Sequence, residues 1–269
     1  MEKQIVELFE IFRENDIEPI LLKGWAAGLY YPAQYERVFS DIDLAVPPKD
    51  FEKATNLARD LKLTVDLHEG FRKLDSLPWE RVFENSVVAN IDGYNIRVLC
   101  PEDHLRVLCV HWLFDGGIYK EKLRDIFYLI EKNAEDFDWD KCLNVVDSKR
   151  RNWIIVTIAL VYKYFGLNVD RLPFNDKLRD IPRWIIKTVE REWKQPVPLR
   201  PLHTCLNDRQ LFFEQLKKRI PPNMIQATVE LDGEFNDGSR LKIQILNIFY
   251  RIQPSLKRIV RTMLTGEKY

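Results

Sequence analysis

The chain has 269 residues, with 41 Lys and Arg against 41 Asp and Glu, and 46% of its positions are hydrophobic and 12% aromatic. That much apolar and aromatic material excludes a disordered chain and suffices for one large core or two smaller ones. A net charge of zero excludes a global attraction to nucleic acid or anionic membrane and leaves only local basic patches for such contacts.

Ile5, Leu8, Phe9 and Phe12 recur at helical spacing, and Pro19 to Leu22 follows as a short apolar run stopped by Lys23-Gly24. Helix, buried strand and turn are expected in that order. Trp25 to Tyr31 suits a short helix, Pro32 to Phe39 a polar connection, and Asp41 to Val46 an alternating strand closed by Pro47-Pro48. Phe51, Ala54, Leu57, Ala58 and Leu61 mark a helix face, and Leu63 to His68 a further strand. Ser86 to Ile91 and Tyr94 to Leu99 flank Asp92-Gly93, a hairpin signal because a type I′ turn needs positive φ.

From Pro101 onward helical periodicity dominates, over Leu105 to Leu113, Leu123 to Ile130, Trp139 to Val146, Trp153 to Phe165, Trp184 to Trp193, Leu211 to Leu216, and Leu241 to Leu264 with Pro254 as a break. Gln195 to Pro198, Pro221-Pro222 and Asp232 to Ser239 suit surface loops. An α+β lobe over residues 1–100 followed by a helical lobe over 101–269 is expected.

Cys100, Cys109, Cys142 and Cys205 are widely spaced and form no CxxC pair, a pattern of free thiols in a reducing compartment. The start, Met1 to Gln4, opens an amphipathic pattern, and the longest apolar run, Trp153 to Tyr162, falls short of the roughly 18–20 residues a membrane span needs. A cytoplasmic protein without membrane contact is expected.

The chemistry is concentrated in Ser40-Asp41-Ile42-Asp43-Leu44. On a strand, Asp41 and Asp43 present carboxylates on one face, about 7 Å apart at Cα. Left bare at about 5 Å, such a pair costs roughly 3 kcal/mol at an effective dielectric near 20, and a divalent cation removes that cost. Asp66, two residues from His68 on the next strand-like segment, is the third carboxylate of a two-metal site, with Glu69 in reserve. A buried strand turning at Gly24 exposes backbone N–H groups on which a triphosphate can dock.

The order of apolar strand, Lys23-Gly24, short helix with Tyr31-Pro32, Arg37, then Ser40-Asp41-Ile42-Asp43-Leu44 resembles the uncharacterised bacterial nucleotidyltransferases called nucleotidyltransferase family 5, within the DNA polymerase β-like superfamily. Val65 to His68, Pro101 to His111, and Leu123 to Ile126 with Asp138 to Asp140 continue the resemblance, which covers roughly residues 15 to 170. It implies a polymerase β-like core with a mixed sheet, followed by a helical lobe on the acceptor side of a cleft. Asp41 and Asp43 would bind Mg²⁺ or Mn²⁺, and Asp66 would bind metal or deprotonate the acceptor. Lys23, Gly24, Trp25, Arg37 and Ser40 would meet the NTP, with Trp25 standing where the superfamily has Ser, so a hydroxyl contact to phosphate is lost.

Arg37 could clamp phosphate bidentately or offset the carboxylates. His68, His111, Lys122 and Arg124 are further candidates for substrate or phosphate contacts. His104 and His111, seven apart near Cys109, form no proper zinc spacing. The basic runs Lys149 to Arg151, Lys217 to Arg219 and Lys257-Arg258 suit solvated faces and are where a tRNA could attach. The expected reaction transfers an NMP from an NTP to a hydroxyl or phosphate of a small molecule, a peptide or protein, or a tRNA. A nucleotide-binding or interaction module that keeps the fold without catalysis is the rival.

Overall fold

A computed structural model describes residues 1–71, 74–194, 199–236 and 238–265. The loop expected at Gln195 to Pro198 lies outside them, as does the Arg258 side chain. The described residues form two compact units, Met1–His111 with Glu121–Arg179, and Trp112–Lys120 with Asp180–Tyr269.

The first unit opens with α1 (Glu2–Glu14), which buries the four apolar residues of its periodic stripe. There follow β1 (Ile20–Leu22), α2 (Gly24–Gly28), β2 (Asp43–Val46), α3 (Phe51–Asp60), β3 (Asp66–Glu69), α4 (Trp79–Asn85), β4 (Val87–Ile91) and β5 (Tyr94–Val98). The hairpin turn has φ of 49° at Asp92 and 93° at Gly93, both positive as a type I′ turn demands.

The strands form one sheet in the order β3-β2-β1-β5-β4. β1 is antiparallel to β2 and parallel to β5, β2 is parallel to β3, and β4 is antiparallel to β5. This mixed sheet with its helices makes the chain an α+β protein. Alternation along the strands sorts the two faces. Leu21, Leu44, Val46, Ile96 and Val98 meet Phe9 and Phe12 of α1 and Ala54 of α3, whereas Ile20, Leu22 and Ala45 meet Val82 of α4 and Val107.

Two strands begin later than their alternation suggests. Leu22 pairs with Asp43 in the antiparallel β1–β2 ladder, so Asp41 falls opposite Gly24, where the chain has already turned into α2. Without a partner strand there, extended pairing starts at Asp43, and the parallel neighbour starts with it at Asp66. Sequence alternation describes what a strand could be; the ladder decides where it begins.

Next come α5 (Pro101–Phe114), α6 (Leu123–Lys132), α7 (Trp139–Leu143) and α8 (Ser148–Phe165). The first unit thus extends past residue 100 and includes most of these helices. Asp138 and Asp147 cap α7 and α8 by accepting from the Lys141 and Arg150 amides, and α8 stops on Gly166 at φ 70°. On α5 the periodic stripe hides an arginine: Arg106 is 1% exposed and donates to Asp75 Oδ2 at 2.7 Å and Asp103 Oδ1 at 2.8 Å.

The second unit holds α9 (Arg183–Lys194), α10 (Arg209–Arg219), α11 (Met224–Glu230) and α12 (Arg240–Thr265). Pro254 does not break the last helix, which runs continuously through it. A proline withholds one amide donor, and the flanking turns carry the helix past the missing bond. The four cysteines are buried free thiols. Among the described residues no helix is long and apolar enough to cross a membrane.

Candidate active site

β1 leads directly into two residues with positive φ, Lys23 at 47° and Gly24 at 41°. For lysine this backbone is strained by about 1–3 kcal/mol, a cost sustained only where the surroundings fix the residue. Here they do: Lys23 Nζ sits 2.6 Å from Asp43 Oδ1, and the two side chains are 9% and 4% exposed. Gly24 is closely packed as well, since a Cβ there would lie 3.5 Å from Phe39 and 3.6 Å from the Asp41 carbonyl.

The parallel register sets Asp43 beside Asp66 and Ala45 beside His68. Asp43, Asp66 and His68 therefore project from one face at one end of the sheet. His68 Nε2 donates to Asp43 Oδ1 at 3.0 Å and lies 3.7 Å from Asp66 Oδ2. The three ligand atoms all fall within 4.8 Å of one another. Two carboxylates and an imidazole at that spacing are a donor set that suits a divalent cation, with carboxylate oxygens as its principal ligands. Among the described residues this is the acid and histidine cluster that could do so. Asp41 is not in it: lying before β2, it is exposed, and its charge reaches the Arg37 guanidinium. His68 takes the place that alternation predicted for Asp41.

Burial pushes the Asp43 carboxyl up, but the His68 hydrogen bond and the Lys23 ammonium outweigh it and hold the carboxyl down at about 2. A carboxyl lowered on folding contributes stability above its unfolded pKa and loses that contribution as pH falls through the folded value. About 2 kcal/mol of stability should therefore be present above roughly pH 4 and vanish toward pH 2. Urea unfolding of the parent and of Asp43→Asn at intervals from pH 6 to 2 checks this. The two curves should converge at the acid end.

His111 extends the cluster from α5. Its Nε2 lies 3.4 Å from Lys23 Nζ and 3.5 Å from Lys122 Nζ. An ammonium has no lone pair to offer, so a neutral Nε2 can accept from either of these two cations. Lys23, His111 and Lys122, named separately in the sequence, are thus one chain of contacts ending on Asp43.

Other expected contacts are placed elsewhere. The Arg37 guanidinium is occupied by buried Asp125, with Nε to Oδ1 at 2.6 Å and Nη2 to Oδ2 at 2.9 Å, and Tyr31 Oη donates to the same carboxylate at 2.6 Å. The sequence named Tyr31, and Asp125 within Leu123 to Ile126, only as parts of the resemblance and gave neither a role. The available signal was an acid within the apolar stripe Leu123, Ile126, Leu129 and Ile130, a position that demands a buried partner. Trp25 donates its indole N–H to Glu2 of α1 at 2.6 Å, while Ser40 is exposed on the loop before β2. Arg124 pairs with Glu121 at 3.0 Å and lies over the Phe165 ring, outside the cluster. His104 is paired with Tyr30 at 3.3 Å. Burial, joined by the Lys23 charge, pushes its imidazole down to about 3 and keeps it neutral.

Residues 1–70 and 57–165 match a family described as uncharacterised nucleotidyltransferase. No curated protein and no solved structure matches the chain. The family match takes in Lys23, Gly24, Asp43, Asp66, His68, His111 and Lys122, every member of the cluster built above. By the extent of that match, the chain belongs to this nucleotidyltransferase family.

Proposed function

We propose that the chain moves an NMP from an NTP to an acceptor hydroxyl or phosphate, with pyrophosphate leaving, on a polymerase β-like core. The observation that supports this most directly is the convergence of Asp43, Asp66 and His68 beside the Lys23-Gly24 turn. Asp43 and Asp66 would hold Mg²⁺ or Mn²⁺, with Asp41 as a further carboxylate at the exposed entrance. When bound, such ions stabilise charge on the oxygens of an in-line displacement.

The remaining roles belong to this chain's own groups. Lys23 and Lys122 offer ammonium charge to the triphosphate, and His111 lies between them with Nε2 toward both. His68 orients the Asp43 carboxylate. Asp66, with its side chain 66% exposed, can accept the proton of an incoming acceptor hydroxyl. Arg37 acts as a positioning residue that ties the loop carrying Ser40 and Asp41 to Asp125. Gly24 and Ser40 border the nucleotide, and Trp25 supports the turn from behind. The acceptor is a small molecule, a peptide or protein, or a tRNA.

The rival is nucleotide binding without transfer. The Lys23–Asp43 pair at 2.6 Å favours it, because the ammonium neutralises the carboxylate on which a metal would depend. Incubation with each of four NTPs, Mg²⁺ or Mn²⁺ and a cell extract separates the two. Transfer predicts an NMP mass increment on an acceptor, matched by pyrophosphate and lost in Asp43→Asn. Calorimetric NTP binding without either product in any combination would establish the rival instead.

A further inference from the structure

The second unit contains a cavity of about 200 Å³ whose lining includes Arg191, Lys217, Lys218, Arg219 and Arg251 against a single carboxylate, Glu192. Glu192 is shared by Lys218 at 2.5 Å and Arg191 at 3.5 Å, and Glu230 holds Arg251 through its Nε and Nη2 at 2.6 and 2.5 Å. Two carboxylates against five cations leave a surplus of three positive charges around one concave space. That space would hold about six water molecules.

Arg219 marks where the surplus is concentrated. It donates to the Gln215 carbonyl at 2.8 Å, to Gln215 Oε1 at 2.9 Å and to the Arg200 carbonyl, all neutral acceptors. Those bonds fix the plane of the guanidinium without neutralising it. Burial first, and then the charge of Arg251, lower its affinity for its proton. Like charges gathered at a partly buried site are costly, and an anion placed among them removes the cost. Guanidinium forks beside lysine point charges are the combination that suits phosphate oxygens.

We infer that this cavity binds a phosphomonoester or diphosphate group, using residues that take no part in nucleotidyl transfer. Its charge surplus exceeds what one carboxylate would balance, and its concave form takes one or two phosphates rather than a length of duplex. The group could come from a free phosphorylated metabolite or from a terminal phosphate on a short nucleic acid.

Calorimetry on the full chain in the presence of a metal chelator tests this, with pyrophosphate, a 5′-phosphorylated RNA tetranucleotide and its 5′-hydroxyl counterpart as probes. One equivalent of pyrophosphate should bind, weakened at least about tenfold in Lys217→Glu/Arg191→Glu and about threefold in Lys217→Ala, with Lys23→Ala unchanged. Preference for the 5′-phosphorylated over the 5′-hydroxyl RNA identifies a nucleic-acid end as a source, while pyrophosphate binding without RNA binding identifies a small metabolite. Lys217 and Arg191 are exposed, so these variants should fold, and parent-like melting verifies it. The proposal is overturned by absence of pyrophosphate binding, by binding that survives both Lys217 variants, or by binding lost in Lys23→Ala. Loss of binding in Lys23→Ala would instead place pyrophosphate at the candidate active site, and nucleotidyl transfer itself is read separately by NMP increments.

Discussion

Asp43→Asn should reduce nucleotidyl transfer by about 10³-fold or more and destabilise the first unit by about 2 kcal/mol. Both effects come from one oxygen. Asp43 Oδ1 accepts from Lys23 and from His68, and in the proposed reaction the same carboxylate is the principal metal ligand. Substitution leaves the Lys23 ammonium, 9% exposed, without its counter-charge. A buried charge stripped of its partner costs more than the pair contributed, because its desolvation is no longer offset. Lys23→Met/Asp43→Asn separates the two consequences. Removing both charges should restore most of the stability in urea unfolding while transfer, measured by pyrophosphate release, stays lost. An Asp43→Asn protein that transfers at the parent rate would remove Asp43 from the reaction.

Arg106→Met should be the more damaging change to the fold, costing about 4 kcal/mol and lowering the melting temperature by about 10 °C. Arg106, Asp75 and Asp103 are all buried, and the guanidinium joins the two carboxylates at 2.7 and 2.8 Å. Burial already raises the Asp103 carboxyl above its ordinary value, with Arg106 opposing the rise. Without the guanidinium it rises further. A carboxyl raised on folding is penalised above its folded pKa and relieved as pH falls through it, so the deficit of Arg106→Met relative to the parent should shrink between pH 7.5 and pH 4.5. Thermal unfolding across that range measures it. Equal losses at both pH values would mean that lost packing, rather than stranded charge, is the cause.

The local framework was legible because local chemistry determines it. The apolar run before Lys23-Gly24 became β1 and its turn, Asp92-Gly93 became the hairpin, and the stripes of α1, α3, α6 and α8 became helices. Asp43, Asp66 and His68 were each identifiable, since strand alternation and one intervening helix suffice to place them near one another. What the sequence could not convey was the ladder. The exclusion of Asp41 from β2 follows from β1 ending at Leu22, a fact that belongs to another strand. The pairing of Arg37 with Asp125 spans 88 positions, too far for any periodic signal. Arg106 was hidden for the opposite reason: its helix carries Glu102 and Asp103 one turn earlier, so a charge beside them resembled a solvated position.

One consequence concerns solubility. β3 is an edge strand of the sheet, and its two terminal residues, Asp66 and Glu69, are exposed acids. An open edge offers unpaired backbone groups to any second chain, and charges along it are the usual deterrent to pairing. Asp66, the proton acceptor of the proposed reaction, also guards that edge. A neutral residue at Asp66 would remove the base of the proposed reaction and at the same time make the sheet more adhesive toward another copy of itself, so the acid proposed for transfer would also help keep two edges apart.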